Sequence, residues 1–307
     1  MSGPRFELEA TASLARFIAS VLRDIKDPEL PNTSLLTRWD RKFRPLGTGS
    51  DFTVFIHHLG IPSLDMRFSA DSGSGKATSY GVYHSIYDSF SWMEQFGDPT
   101  FAFHEKMAVV WGVAALRIAD AGTLPFNHLD QARLIGGYVR DVRDMVTDPV
   151  AFKSMAYAAM QFIKVAKREL ELRKRSRFEP IDSNRNDRIA FAEQRFLIPG
   201  DKGLPLRKWF KHVLQAPDLY LGYSAVVLPG IVQAFVDQDD PKLANEQAML
   251  FADRLRAVAR FLHEGHEGWS AVEVEDIDAV ASSSSASALI VGGPDRRDNR
   301  LSAPVNL

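Results

Sequence analysis

The 307-residue sequence contains no cysteine, which excludes disulfides, thiolate metal sites and thiol nucleophiles and leaves the cellular compartment open. It also lacks an excess of either charge: 37 Lys and Arg face 39 Asp and Glu, a formal net of -2. A near-neutral chain has no global field with which to hold a nucleic-acid backbone or an anionic membrane, so no nucleic-acid partner is expected. A long apolar run is missing too. The most apolar stretch, Met107 to Ala119, is shorter than the about 20 residues of a membrane span and is bracketed by Lys106 and Arg117. The opening residues Met1 to Glu7 show neither the basic nor the apolar region of a signal peptide. What is present, 45% apolar, 10% aromatic and 25% charged residues, is the composition of a soluble globular chain of one large domain or two ordinary ones.

Phe6 to Glu9 and Leu64 to Phe68 alternate apolar and polar residues as strands do. Between them Leu14, Phe17, Ile18, Val21, Leu22 and Ile25 recur at helical spacing after Thr11, a cap candidate, and Pro28 and Pro31 close the segment. Asp51 to Leu59 reads as a short helix ended by Gly60. Residues 1 to about 120 are therefore expected to be part of an α/β layer structure. From Phe101 onward helix signals dominate: 101–121, 129–146, 150–175, 184–197, 230–237 and 243–263 each carry apolar residues at threes and fours, punctuated by prolines at their boundaries. This second half reads as an all-α helical bundle. The Ser-, Gly- and Asp-rich stretch beyond Gly268 is expected to be disordered.

Several candidate motifs fail on spacing. Asp71 to Ala77 lacks the first Gly and the hydroxyl that a phosphate loop needs. His263-Glu264-Gly265-His266 has one residue too few for a zinc-binding helix, and His57 and His58, being adjacent, point in different directions. The basic run from Lys164 to Arg177 reads as a solvated face complementing a helix C-terminus. The one dense constellation is Thr78 to Phe90. There His84 has the chemistry of a metal ligand or general base and Tyr83 could donate to a developing oxyanion, with Asp88 one turn away on a helix starting near Ser85. A lone His beside tyrosines is, without further context, ordinarily a structural residue.

The context is a pattern of motifs. Gly47-Thr48-Gly49-Ser50-Asp51-Phe52, His58-Leu59-Gly60-Ile61-Pro62-Ser63, Tyr83-His84-Ser85-Ile86-Tyr87-Asp88-Ser89 and Gly97-Asp98-Pro99, followed by Gly203-Leu204-Pro205, Lys211 to Pro217 and Leu228-Pro229-Gly230-Ile231, resemble in order the C-terminal half of the glutamate carboxypeptidase II and transferrin-receptor family of zinc peptidases. The resemblance runs from about residue 47 to residue 265. It implies an α/β peptidase domain holding two zinc ions, here over residues 1–122, and a helical dimerisation domain over 123–266, with residues 267–307 as a tail.

The resemblance also implies roles for particular residues. His84 matches a zinc ligand and Tyr83 the tyrosine that stabilises the tetrahedral intermediate. Thr48 and Gly49 fall on a substrate-lining loop, and Tyr223 matches a tyrosine contributed to the substrate pocket. Of the groups that grip acidic side chains in glutamate-specific members, Arg67 matches one arginine, while Asp65 and Gly222 stand at two others. The remaining zinc ligands and the catalytic Glu lie upstream in the family. This chain supplies one matching ligand, so it is expected not to hold Zn2+ by itself and to be inactive alone. Hydrolysis of a peptide substrate by a zinc-activated water belongs to an intact parent. A non-catalytic homodimerisation module is the alternative, motivated by Met155, Tyr157, Met160, Phe162 and Ile163 surrounding one helix.

Overall fold

A computed structural model describes residues 4–69, 81–175, 183–263 and 305–306. The chain forms two compact units, one built from the residues up to Leu46, from Pro62–Asn127 and from the strand at Val305–Asn306, the other from Gly47–Ile61 and the described residues from His128 to His263. The tail beyond Gly268, the segment 71–77 and most of the motif starting at His263 lie outside the described residues, apart from a two-residue strand at Val305–Asn306.

In the first unit, strand β1 (Arg5–Ala10) leads into helix α1 (Ala15–Asp24), and strand β2 (Leu64–Ser69) pairs antiparallel with β1. The two-residue period puts Phe6, Leu8, Met66 and Phe68 on the buried face, where the Phe6 and Phe68 rings meet edge-on at 5.6 Å. The opposite face carries the cross-strand pair Glu7 and Arg67. Ala15, Phe17, Ile18, Val21 and Leu22 form the buried stripe of α1. Thr11 does not cap this helix: its hydroxyl accepts from the Ser63 backbone N–H at 3.0 Å, tying the start of α1 to the approach to β2. The turn after α1 is held by Asp27, which is 2% exposed and accepts from the Glu29 and Leu30 amides at 2.9 Å and from Arg38. Helix α2 (Ala102–Ala119) buries Phe103, Met107, Val110 and Ala114. Asp98 secures its first turn by accepting from the backbone N–H of His104 at 3.0 Å and from its Nδ1 at 2.7 Å.

The second unit is helical, as the spacing predicts. Its helices are α3 (His128–Asp141), α4 (Pro149–Arg175), α5 (Ser183–Phe191), α6 (Pro229–Val236) and α7 (Pro241–His263). α4 packs on α3 and α7, and α6 lies against α7. Ala151, Ala158, Ala159 and Ala166 on α4 and Ala244, Ala248, Ala252 and Ala259 on α7 are buried, and such small side chains let the helices approach closely. One element departs from the expectation of helices alone: strands β3 (Gln215–Pro217) and β4 (Ala225–Val227) pair antiparallel as a short hairpin.

The chain is thus mostly helical with small sheets. Among the described residues of the first unit, β1 and β2 form a two-stranded sheet, β1 also makes isolated parallel bridges from Phe6 to Trp39 and from Glu9 to Arg44, and Lys42–Phe43 pairs antiparallel with Val305–Asn306.

Candidate functional site

Three of the predicted substrate-lining residues converge in the second unit. The hairpin β3–β4 presents the loop between them, whose shape is set by Asp218: its carboxylate accepts from the Tyr220 and Leu221 amides, both at 2.8 Å. Ser224 N–H donates to Leu221 O at 2.8 Å, and Arg207 donates to Pro217 O at 2.6 Å. Tyr223, 63% exposed, stands on this loop with its ring against Gly49. A Cβ at Gly49 would lie 2.2 Å from the Tyr223 ring, and the residue has φ +101°, so only glycine fits there. Gly47 passes as closely beneath the Tyr223 carbonyl, and the methyl of Thr48 faces Gly222. Thr48, Gly49 and Tyr223 thus form one surface.

The helical turn Phe52–Val54, continued as a π-turn over Phe55–Leu59, anchors the Gly47–Gly49 loop through His57. His57 is fully buried and its Nε2 donates to Gly47 O at 2.6 Å. Burial pushes this imidazole down to about 4, so it stays neutral and acts as a fixed donor. His58 turns the other way, donating through Nδ1 to Trp209 O at 2.8 Å and stacking on the Trp209 ring at 4.9 Å. The two rings point to different partners, as their adjacency predicts.

Tyr83 and His84 lie in the first unit, on an exposed turn over residues 81–87. The helix expected from Ser85 is absent: Ser85 Oγ donates to Val82 O at 2.7 Å and receives the Tyr87 amide, and such local bonds compete with helix. Helix begins only at Phe90, capped by Ser89, so Asp88 is not one helical turn from His84. His84 has φ +60°, a left-handed conformation that is strained for a residue with a Cβ, and its ring stacks on Tyr83 at 3.8 Å. Among the described residues no group of three or more His, Asp or Glu side chains is placed to hold a metal ion. A catalytic zinc takes about three protein ligands, so these residues do not make such a centre between them.

Arg67 sits on the polar face of β1–β2 with Glu7 at 2.9 Å, Glu9 at 3.0 Å and Asp65 at 3.5 Å. Burial raises the carboxyl pKa of Glu9 and of Asp65, and the Arg67 charge offsets part of that shift. Its guanidinium is already engaged.

A constellation not visible in the sequence lies inside the helical unit. His212 Nε2 meets Glu193 Oε1 at 3.0 Å, Gln131 donates to Glu193 Oε2 at 2.8 Å, and Gln131 Oε1 lies 3.0 Å from His128 Nδ1. The far side of His128 reaches Ile189 O at 3.1 Å, and Leu214 N–H donates to His212 Nδ1 at 3.2 Å. All four side chains are buried. Their separation in the chain hides them, and the only sequence trace is that His212 stands inside one of the quoted motifs.

Comparison with known proteins places this geometry. Residues 149–263 match the transferrin receptor-like dimerisation domain. The chain is 33% identical over 255 residues to the "Probable glutamate carboxypeptidase LAMP1" of Arabidopsis thaliana, covering 81% of this chain and 36% of that protein. It is 28% identical over 254 residues to the "Probable glutamate carboxypeptidase VP8" of Zea mays, covering 76% and 33%. It is 26% identical over 318 residues to the "Aminopeptidase NAALADL1" of Rattus norvegicus, covering 94% and 38%. The chain belongs to the glutamate carboxypeptidase and transferrin-receptor-like family, and spans 33% to 38% of the length of these relatives. No helix among the described residues is long and apolar enough to cross a membrane.

Proposed function

We propose that this chain is the C-terminal portion of a zinc-dependent metallopeptidase of the carboxypeptidase or dipeptidase type, inactive on its own. The observation that carries the reading is the extent of the relationship: 81% of the chain aligns with a protein named as a glutamate carboxypeptidase and 94% with one named as an aminopeptidase. In this reading residues 1–122 belong to the peptidase domain, 123–266 to the dimerisation domain and 267–307 to a tail outside both.

His84 is assigned as a zinc ligand and Tyr83 as the group that faces the tetrahedral intermediate; both rings stand on the outward turn. The other ligands and the catalytic Glu come from outside this chain. Thr48, Gly49 and Tyr223 line the substrate, a role supported by their convergence on one surface. Arg67 contributes little grip on an acidic side chain, because Glu7, Glu9 and Asp65 already surround it. The test is to supply the upstream portion, on the same or a second polypeptide, and compare peptide hydrolysis with and without His84→Ala. Loss of hydrolysis in the variant is expected; full activity would overturn the assignment.

A second reading, a homodimerisation module without peptidase chemistry, is favoured by one observation. On α4, within the region that matches the dimerisation domain, Val150 is 67% and Met160 43% exposed, with Tyr157 and Ile163 half-buried. Sedimentation showing only monomer at tens of micromolar would count against it.

A further inference from the structure

We propose that the buried chain of His128, Gln131, Glu193 and His212 closes only by holding one proton more than neutral histidines and an ionised carboxylate would carry, which makes it a proton-dependent clamp inside the helical unit.

The proton count follows from the two ends of the chain of bonds. At one end the Leu214 N–H donates to His212 Nδ1 at 3.2 Å. That nitrogen therefore carries no proton, and the proton of this ring sits on Nε2, given to Glu193 Oε1 at 3.0 Å. At the other end Ile189 O can only accept, so His128 Nε2 carries a proton and donates to it at 3.1 Å. Two bonds remain between these fixed ends: His128 Nδ1 with Gln131 Oε1 at 3.0 Å, and Gln131 Nε2 with Glu193 Oε2 at 2.8 Å. In the arrangement observed, the Gln131 oxygen faces Nδ1, so Nδ1 also needs a proton and His128 is an imidazolium paired through Gln131 with an ionised Glu193. With the amide turned over, its nitrogen donates to a neutral Nδ1 and its oxygen faces Glu193 Oε2, which then takes the proton instead. Either way the five bonds require the same single extra proton, and the four side chains sum to zero charge. Without it two lone pairs face each other, and a carboxylate stays buried with no charge partner in the chain. Both are costly here, because none of the four side chains is more than 1% exposed.

The clamp joins three segments of the helical unit. His128 and Gln131 stand on the first turn of α3, Glu193 on the tight turn Glu193–Phe196 after α5, and His212 just before β3. The carbonyl of Leu214 accepts from the Leu228 N–H at 2.9 Å, so the clamp lies at the base of the hairpin that carries Tyr223. Raising the pH until the proton leaves opens one of the five bonds and loosens this base. Charged and titratable groups on the elements around the four include His57, which faces His212 and stays neutral, Asp130 on α3, and Arg188 on α5. They also include Glu169 paired with Arg173 on α4, Arg195 stacked on the Phe261 ring, and His263 on α7.

Glu193→Gln separates the proton from the bonds. Its amide oxygen accepts from His212 and its nitrogen donates to a turned-over Gln131, which donates to a neutral His128, so every bond closes with no extra proton. Urea unfolding of the full chain and of this variant is compared from about pH 6 to about pH 8, where unfolded Glu193 is ionised throughout and all other groups are common to both chains. The folded parent binds one proton more than the folded variant, so its relative stability is greatest at the acid end and is lost as pH rises. The ratio of parent to variant unfolding constants is expected to grow about tenfold per pH unit. A ratio that does not change with pH overturns the proposal. Should the variant fail to fold, nitrogen-15 spectra of the histidine rings and the carboxyl stretch of the parent chain at about pH 7.5 decide. A doubly protonated His128 or a protonated Glu193 supports the clamp, and a neutral ring together with an ionised carboxylate overturns it.

Discussion

Replacing Glu193 with Ala attacks the helical unit at the buried polar chain of His128, Gln131, Glu193 and His212. The carboxylate is 1% exposed and serves two donors, His212 Nε2–H and the Gln131 amide. Its removal leaves both donors buried without an acceptor. Each such orphan costs about 1–3 kcal/mol, so the variant should lose about 2–6 kcal/mol, or about 5–20 °C in Tm for a domain of this size. Glu193→Gln separates this from loss of volume. The new amide keeps an oxygen for His212, and Gln131 can turn its own amide over to present an oxygen in return, so the loss should stay below about 1.5 kcal/mol. Urea denaturation followed by circular dichroism measures both variants. Ala within about 0.5 kcal/mol of the parent chain, or Gln as damaging as Ala, would refute the assignment of the four side chains to one network.

Gly49→Ala forces a side chain into the Tyr223 ring at a residue with φ +101°; the backbone alone costs about 1–2 kcal/mol, and a changed tyrosine environment should be visible by near-ultraviolet circular dichroism. His57 is neutral in the fold, with its pKa lowered from 6.5 to about 4 by burial. The unfolded chain binds this proton first as pH falls, so stability should decline between about pH 6.5 and 4, by at most about 3 kcal/mol. That slope should flatten in His57→Gln; an unchanged slope would assign it to other groups. Asp27 adds a loss further down: its bonds from Arg38 hold its carboxyl below the usual value, so its contribution is full above about pH 4 and disappears as pH falls through the depressed value, an effect that Asp27→Asn should remove. Met160→Asp, at a 43% exposed position on α4, should weaken self-association by sedimentation without lowering the melting temperature.

The strands β1 and β2 could be read from their alternation because one face of each is buried and the other wet. The long helices could be read for the same reason at a different period. The hairpin β3–β4 could not: three residues a side, one of them Pro217, are too few to show a period. Thr11 has the chemistry of a cap, but a non-local partner, Ser63, takes its hydroxyl. At Ser85 the local competition runs the other way, and a serine bonding its own turn replaces the helix that the spacing suggests. The candidate site divides similarly. Thr48 and Gly49 precede Tyr223 by more than 170 residues, and the family resemblance named all three without showing that Gly49 is the floor on which the tyrosine ring rests. The network of His128, Gln131, Glu193 and His212 stayed hidden because none of its hydrogen bonds follows a sequence period.

The central claim is that this chain contributes His84 to a metal centre whose other ligands lie elsewhere. Its most direct test is the zinc content of the purified 307-residue chain after dialysis against buffer with trace zinc. The account predicts essentially none, since one imidazole holds zinc too weakly to survive dialysis. Tightly retained, stoichiometric zinc that disappears in His84→Ala would contradict it, because the chain would then complete the site on its own.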